Sequence, residues 1–266
     1  MKRILVLGVL FAAVMLALTV VDAPVTPAAA TPAVQSPVPP EALDAIENGR
    51  YLHASLILRE YLATLSDTTH GTILLTAEAE AGWGDWERVE LLLAGRPWLD
   101  SLASGFGWSL LGRSQLELGR YEEAGSSLSR YLEVSDGAGD RERGLAATRA
   151  ADGYRELERY TAAIEAYDLA AALLPRIADW LGYEATGAAA AMGDTAETRR
   201  RMAELPADLA SGWAWQLPIR AYREASDLAD AETLAETVAE GNGSAARRAE
   251  AWSLIGELRL LRGDTG

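Results

Sequence analysis

From Glu41 onward the sequence predicts an all-α solenoid of helical hairpins, and three observations predict it. Prolines become sparse and Ala, Leu, Glu and Arg dominate, with no run of strand type. A turn recurs with a glycine or its replacement at 49, 84, 119, 158, 193, 226 and 263, in steps of 35, 35, 39, 35, 33 and 37 residues. Apolar residues return at helical spacing on both sides of that turn: Trp108, Leu111, Leu116 and Leu118 before it, Tyr121, Ala124, Leu128 and Tyr131 after it. One hairpin cannot bury such faces alone, whereas stacked hairpins share a continuous core. The count is six full units and part of a seventh.

Before the repeats come an address and a tether. Lys2 and Arg3 precede an apolar run from Ile4 to Val21, with no charge until Asp22. A basic head before an apolar core and small residues is the form of a secretory signal. Val21-Asp22-Ala23 offers one cleavage site and Ala28-Ala29-Ala30 a second. The run is also just long enough to span a bilayer with its flanks, so residues 1–23 read as a cleaved signal or a retained anchor. With no cysteine in the chain, the bacterial lipoprotein route is closed. Residues 24–40 hold six of the ten prolines among Ala, Thr and Val, which suits an extended, semi-rigid linker and no helix. On this reading the protein is exported, periplasmic or held at the inner membrane facing the periplasm.

Each turn has a physical rationale. Compare Asn48-Gly49-Arg50-Tyr51-x-x-Ala54, Trp83-Gly84-Asp85-Trp86-x-x-Val89, Leu118-Gly119-Arg120-Tyr121-x-x-Ala124 and Leu157-Glu158-Arg159-Tyr160-x-x-Ala163. Weaker copies follow at Met192-Gly193-Asp194-Thr195, at Ala225-Ser226-Asp227-Leu228-x-x-Ala231 and at Arg262-Gly263-Asp264. Glycine ends a helix because it takes the left-handed conformation without a Cβ clash. Arg or Asp opens the next helix, the aromatic packs back into the pair, and the small Ala lets the two helices approach. Gly137-Ala138-Gly139-Asp140-Arg141 reads as a polar loop that absorbs the 39-residue step.

Composition excludes whole classes of function. The 24 basic against 39 acidic residues leave a net charge of −15, which argues against nucleic acid and anionic membrane as partners. Any membrane contact falls to the N-terminal segment. Zero cysteines remove disulfides, thiolate metal sites and cysteine nucleophiles. His53 and His70, read as helix and loop, lack metal-ligand spacing. Glu78/Glu80 and Glu122/Glu123 are too close in sequence to face each other across a cleft, and read as solvated helix faces. No phosphate loop, nucleophile elbow or H-E-x-x-H is present. The expectation is a chain with no catalytic residues, no metal and no cofactor.

The repeat residues resemble the tetratricopeptide-type (TPR-like) α-solenoids. Trp108-x2-Leu111-Gly112 and Trp252-x2-Ile255-Gly256 match the opening of the signature. Ala124-x3-Leu128, Ala163-x3-Tyr167 and Ala54-x3-Leu58 match its middle, Pro175 its closing proline, and Tyr154 and Tyr222 its first-helix tyrosine. The fifth and sixth units lack most of these residues, and Asp136 stands where the third would want proline. The resemblance covers residues 41–266 and implies a right-handed α-solenoid that binds a protein or peptide, or a glycan. A narrower resemblance rests on Gly82-Trp83-Gly84-Asp85-Trp86, Arg96-Pro97-Trp98-Leu99-Asp100 and Ala178-Asp179-Trp180. These look like the non-catalytic superhelix of soluble lytic murein transglycosylases, and would make peptidoglycan a partner. That family's catalytic domain carries a Glu in a Glu-Ser context, and no Glu-Ser dipeptide occurs here. The seventh unit reaches its turn at Gly263-Asp264 without a second helix, so the expectation is a chain shorter than the whole protein.

Tryptophan and arginine supply the candidate binding residues. Trp86, Trp108 and Trp252 fall on core positions of the repeat. Trp180 and Trp213 fall near the start of first helices, which the resemblance places on the inner, concave surface. Following that face gives Arg113, then Asp152 and Arg155, then Trp180 and Tyr183. It continues through Trp213, Gln216, Arg220 and Arg223. Such an aromatic and arginine stripe suits an acidic peptide, a carboxylate or a glycan.

Overall fold

The computed structural model describes residues 38–65, 68–206 and 212–264; the signal or anchor reading of 1–23 and most of the linker reading lie outside them. Among the described residues there are thirteen α-helices and no strand, as the sequence predicts. None of these helices is long and apolar enough to cross a membrane. The chain divides into two compact units, residues up to Gly84 and residues from Asp85.

The first unit holds α1 (Pro40–Glu47), α2 (Tyr51–Thr64) and α3 (His70–Trp83). Pro40 sits in the first turn of α1, where its missing N–H costs nothing. Val38 is buried with Ala42, Ala45, Ala54, Leu58, Leu75 and Ala79, so the packed core begins within the last residues of the stretch read as linker. His70 opens α3 after the cap Thr69, and is therefore helical instead of lying in a loop.

The second unit continues with α4 (Trp86–Leu93), α5 (Phe106–Glu117), α6 (Tyr121–Val134), α7 (Asp140–Glu156) and α8 (Tyr160–Leu173). It ends with α9 (Ala178–Met192), α10 (Thr195–Glu204), α11 (Gln216–Glu224), α12 (Leu228–Glu240) and α13 (Ala245–Arg262). Within this unit each helix packs on its neighbours in sequence, and α9 also packs on α11, the next first helix. The core is accordingly a series of local clusters. One joins Ala147 and Ala151 of α7 to Ala163 and Tyr167 of α8 and Leu181 and Ala185 of α9. Another joins Ile219 and Tyr222 of α11 to Ala231 and Ala235 of α12 and Ala251, Ile255 and Leu258 of α13. Alanine at these positions removes side-chain bulk between helices, and this chain fills its interior by close approach more than by large side chains.

The recurring turn is a recurring hydrogen-bond motif. After α2's partner α1, Gly49 N donates to Ile46 O (2.9 Å) and Arg50 N to Ala45 O (2.7 Å). The same two bonds close the turns at 119, 158, 193, 226 and 263. This double closure satisfies carbonyls that the helix end leaves without a partner. It requires one residue in the left-handed region, and Glu158 (φ 57°) and Ser226 (φ 63°) occupy it where the other copies carry glycine. The turn at Gly84 differs: it makes a single bond to Glu80 O, and the Asp85 side chain then accepts from Arg88 N. Ala54, Ala124, Ala163 and Ala231 are fully buried four residues into the following helix, which bears out their reading as close-approach positions.

Two expectations about packing are corrected. Trp252 is 50% exposed, because α13 meets α12 through Ala251, Ile255 and Leu258 and turns its tryptophan off that line. Asp140 and Arg141 already belong to α7, so the loop is residues 135–139 and the 17-residue α7 takes up part of the longer step.

Candidate functional site

The stripe residues lie at equivalent positions of successive first helices. Arg113, Asp152 and Arg220 each stand six residues before their turn residue, Arg155 and Arg223 three before it, and Tyr183 and Gln216 ten before it. These offsets repeat roughly every helical turn, so the residues share one face of α5, α7, α9 and α11.

A polar network forms at the centre of that face. Arg155 of α7 makes a charge-assisted hydrogen bond to Glu184 of α9, and its guanidinium also lies 4.0 Å from Asp152. Tyr167 of α8 donates its hydroxyl to Asp152 at 2.5 Å. Burial raises the pKa of Glu184, and Arg155 opposes the shift. Burial likewise raises Asp152, against Tyr167 and Arg155; the carboxylate keeps 39% of its side-chain surface, so it is packed among helices without being sealed from water. For Arg155 burial works against the charge, but Tyr167, Glu184 and Asp152 outweigh it and hold the guanidinium protonated. Tyr183 is pushed up to about 12 by burial and by Glu184, while Arg220 and Arg155 pull it back. Arg220 also acts on Tyr160, whose pKa burial raises. The structure thus brings Asp152 and Arg155 into direct contact with Tyr167 and Glu184, with Tyr183 and Tyr160 each in electrostatic range of Arg220.

The remaining stripe residues take other neighbours. Arg113 lies 4.8 Å over the ring of Trp86, a cation–π contact. Gln216 donates to Glu250 at 2.7 Å. Trp180 is partly buried against the cluster of α7, α8 and α9. Trp213 lies in a short 3-10 turn, Trp213–Trp215, ahead of α11 instead of within it. Arg220 is exposed and Arg223 half-buried on α11, and among the described residues neither side chain makes a hydrogen bond or an ion pair. Eight other arginines among the described residues of the unit pair with acids, including Arg120 with Glu90, Arg130 with Asp100, Arg159 with Glu122, Arg201 with Asp168, and Arg259 and Arg262 with Glu232.

The first unit carries a different kind of polar cluster. Glu80 is fully buried, and accepts from Arg59 Nε and Nη2 (both 2.6 Å), Ser55 Oγ (2.9 Å) and Trp83 Nε1 (2.9 Å). Burial also raises the pKa of Glu78. This corrects the reading of Glu78/Glu80 as a solvated face: α2 lies against that side of α3 and supplies three of the donors, from Ser55 and Arg59, while Trp83 of α3 itself supplies the fourth. All four donors to Glu80 come from the same unit and saturate it, so the cluster holds helices together and offers no open coordination.

Among the described residues no three His, Asp or Glu side chains gather to hold a metal ion. No two carboxylates face each other across a cleft in the network, since Arg155 lies between Asp152 and Glu184. What the arrangement can do is recognise: guanidinium groups for carboxylates, tyrosine rings for stacking.

Helical hairpins closed by a common turn and joined through local alanine-rich cores define an all-α helical-repeat protein. No protein-family model matches the chain, and no curated protein matches it. Among solved structures it is similar to the crystal structure of the TPR domain of P58(IPK), at 17% sequence identity and a TM-score of 0.33. The match covers 85% of this chain and 66% of that one, so the chain spans about two thirds of the domain it is compared with.

Proposed function

We propose that this chain is a protein-binding scaffold without chemistry of its own, exported by its N-terminal segment, and that the first-helix face of its second unit takes an acidic peptide segment. The observation that carries the reading is Arg220 with Arg223: two guanidinium groups on one helix that form no ion pair among the described residues, in a chain of net charge −15, with Tyr160 and Tyr183 in electrostatic range of Arg220. An acidic protein has carboxylates to spare for its own arginines, so cations left unpaired on one helix face are available to a carboxylate from elsewhere. Export is supported by Lys2 and Arg3 ahead of the apolar run Ile4–Val21, which puts the scaffold outside the cytoplasm and within reach of cell-envelope proteins. Nothing about the face favours glycan over peptide, and the transglycosylase resemblance gains no support from it.

The test is binding to an arrayed library of acidic dodecapeptides, comparing the wild type with Arg220→Gln/Arg223→Gln. Removing two charge-assisted contacts should weaken the best peptides by about 10-fold or more with helicity intact by circular dichroism. Equal binding by the double variant, or no binding by the wild type, overturns the reading.

A further inference from the structure

In the second unit, the place of a residue before the turn decides which helix it meets. In α7, Ala146 and Ala150, twelve and eight residues before the turn residue, cluster with Leu128 and Tyr131 of the preceding second helix, α6. Ala147 and Ala151, one residue further round at eleven and seven, cluster with Ala163 and Tyr167 of the hairpin's own second helix, α8. The other hairpins agree. A Cβ at Gly112 of α5 would run into Leu128 of α6 at 2.5 Å, and Ile219 of α11 clusters with Ala231 and Ala235 of α12. The position seven before the turn is buried in α5, α7, α9 and α11, as Gly112, Ala151, Thr186 and Ile219.

Only half of this arrangement is present at α13. Ala251 and Ile255, at twelve and eight, are 0% and 2% exposed in the cluster shared with α12. At eleven, seven and three the side facing away from that cluster is open. Trp252 is half-exposed, Gly256 is exposed with nothing within 4 Å of an added Cβ, and Leu260 keeps 66% of its surface. Ala245 and Ala249 continue the stripe at helical spacing, and both are exposed. A helix side turned to water ordinarily carries polar residues, whereas this one is apolar from Ala245 to Leu260.

The chain's own hairpins define the kind of element that covers such a face. It is a helix bearing a small residue and, four places later, a large one: Ala54 and Leu58, Ala124 and Leu128, Ala163 and Tyr167. All six are fully buried, so a second copy of the chain has none of these helices to spare. We infer that the apolar face of α13 docks an amphipathic helix of another protein, antiparallel to α13 and carrying alanine followed four places later by leucine or tyrosine. The large residue lies over Gly256 as Leu128 lies over Gly112, and the alanine lets the two backbones approach. Recognition here is apolar, unlike that of the arginine face, and stands or falls separately from it.

The probe is α6 made as a separate peptide, residues 119–134, with Glu122 bridged to the lysine of Ser126→Lys. Both positions face solvent, and the bridge holds the helix in a peptide too short to be stable alone. Anisotropy of the labelled peptide titrated with the full chain should show saturable binding. Trp252→Asp and Leu260→Asp should each weaken it at least 10-fold with helicity unchanged by circular dichroism, since both side chains are at least half exposed. Leu91→Asp, at a leucine of α4 that is 67% exposed, should bind as wild type does. The peptide with Leu128→Asp should not bind. No saturable binding, or binding that both α13 variants leave unchanged, overturns the docking surface. Light scattering of the chain alone should give a monomer; a dimer that Trp252→Asp dissociates would make a second copy the occupant and overturn the assignment to another protein.

Discussion

Glu158 does in this protein what glycine does elsewhere in the same chain. It holds a left-handed backbone (φ 57°) to donate its N–H to Arg155 O at 3.0 Å, and the turn survives because Arg159 N adds the second bond at 2.8 Å. A side chain in that region is strained by its Cβ, at a cost of about 1 kcal/mol. Glu158→Gly should therefore raise the unfolding free energy by about 0.5–1 kcal/mol, measured by urea denaturation. A loss of stability would mean that the Glu158 side chain supports the turn in some other way. Residues such as these turn positions were legible from sequence, because a capped helix end is decided by a few consecutive residues. The burial of Glu80 was not legible. Its partners Ser55 and Arg59 sit 25 and 21 residues earlier, and only the packing of α3 on α2 makes a fully buried carboxylate tolerable.

At the scale of the helix, α10 shows how ion pairs replace apolar contact. Only Thr198 is buried along it, and its attachment to α8 includes the two-pronged pairing of Arg201 with Asp168 at 2.8 and 2.7 Å. Glu197 binds both Arg200 and Arg201, and its pKa is drawn down to about 2, by Arg200 first, against burial and with help from Arg201. A carboxylate whose folded pKa is depressed stabilises the fold above its unfolded value of about 4.3, and that stabilisation is lost as pH falls through the folded value. Glu197→Gln should accordingly melt below wild type at neutral pH, and the gap should close between pH 4.5 and 2. A gap unchanged across that interval would show that the ion pairs do not hold α10. Glu184 is the opposite case: burial raises its pKa, so its ionised form weakens the fold near neutrality and protonation relieves the cost. This difference is invisible in the residue pattern, since both are single glutamates within helices; depth in the stack separates them. The pairing of helices, by contrast, was readable from Ala124, Ala163 and Gly112, whose small size has meaning only if another helix lies close.

For the whole molecule, the stacking of hairpins leaves the first-helix face of the second unit as a surface assembled from residues about 35 apart in sequence. Periodicity puts Arg155, Tyr183 and Arg220 on one face of the first helices. It missed Glu184, Tyr160 and Tyr167, because two of these stand on a second helix and one points into the stack. It also placed Trp252 in the core, where the partner surface it assumed is absent from the described residues. Recognition of an acidic segment on this face, as proposed, is read out by amide hydrogen exchange on the complex with the best acidic peptide. Bound peptide should slow exchange in α7, α9 and α11, around Arg155, Tyr183 and Arg220, with little change in α8, α10 and α12. Protection confined to those second helices, or to residues 38–84, would contradict it.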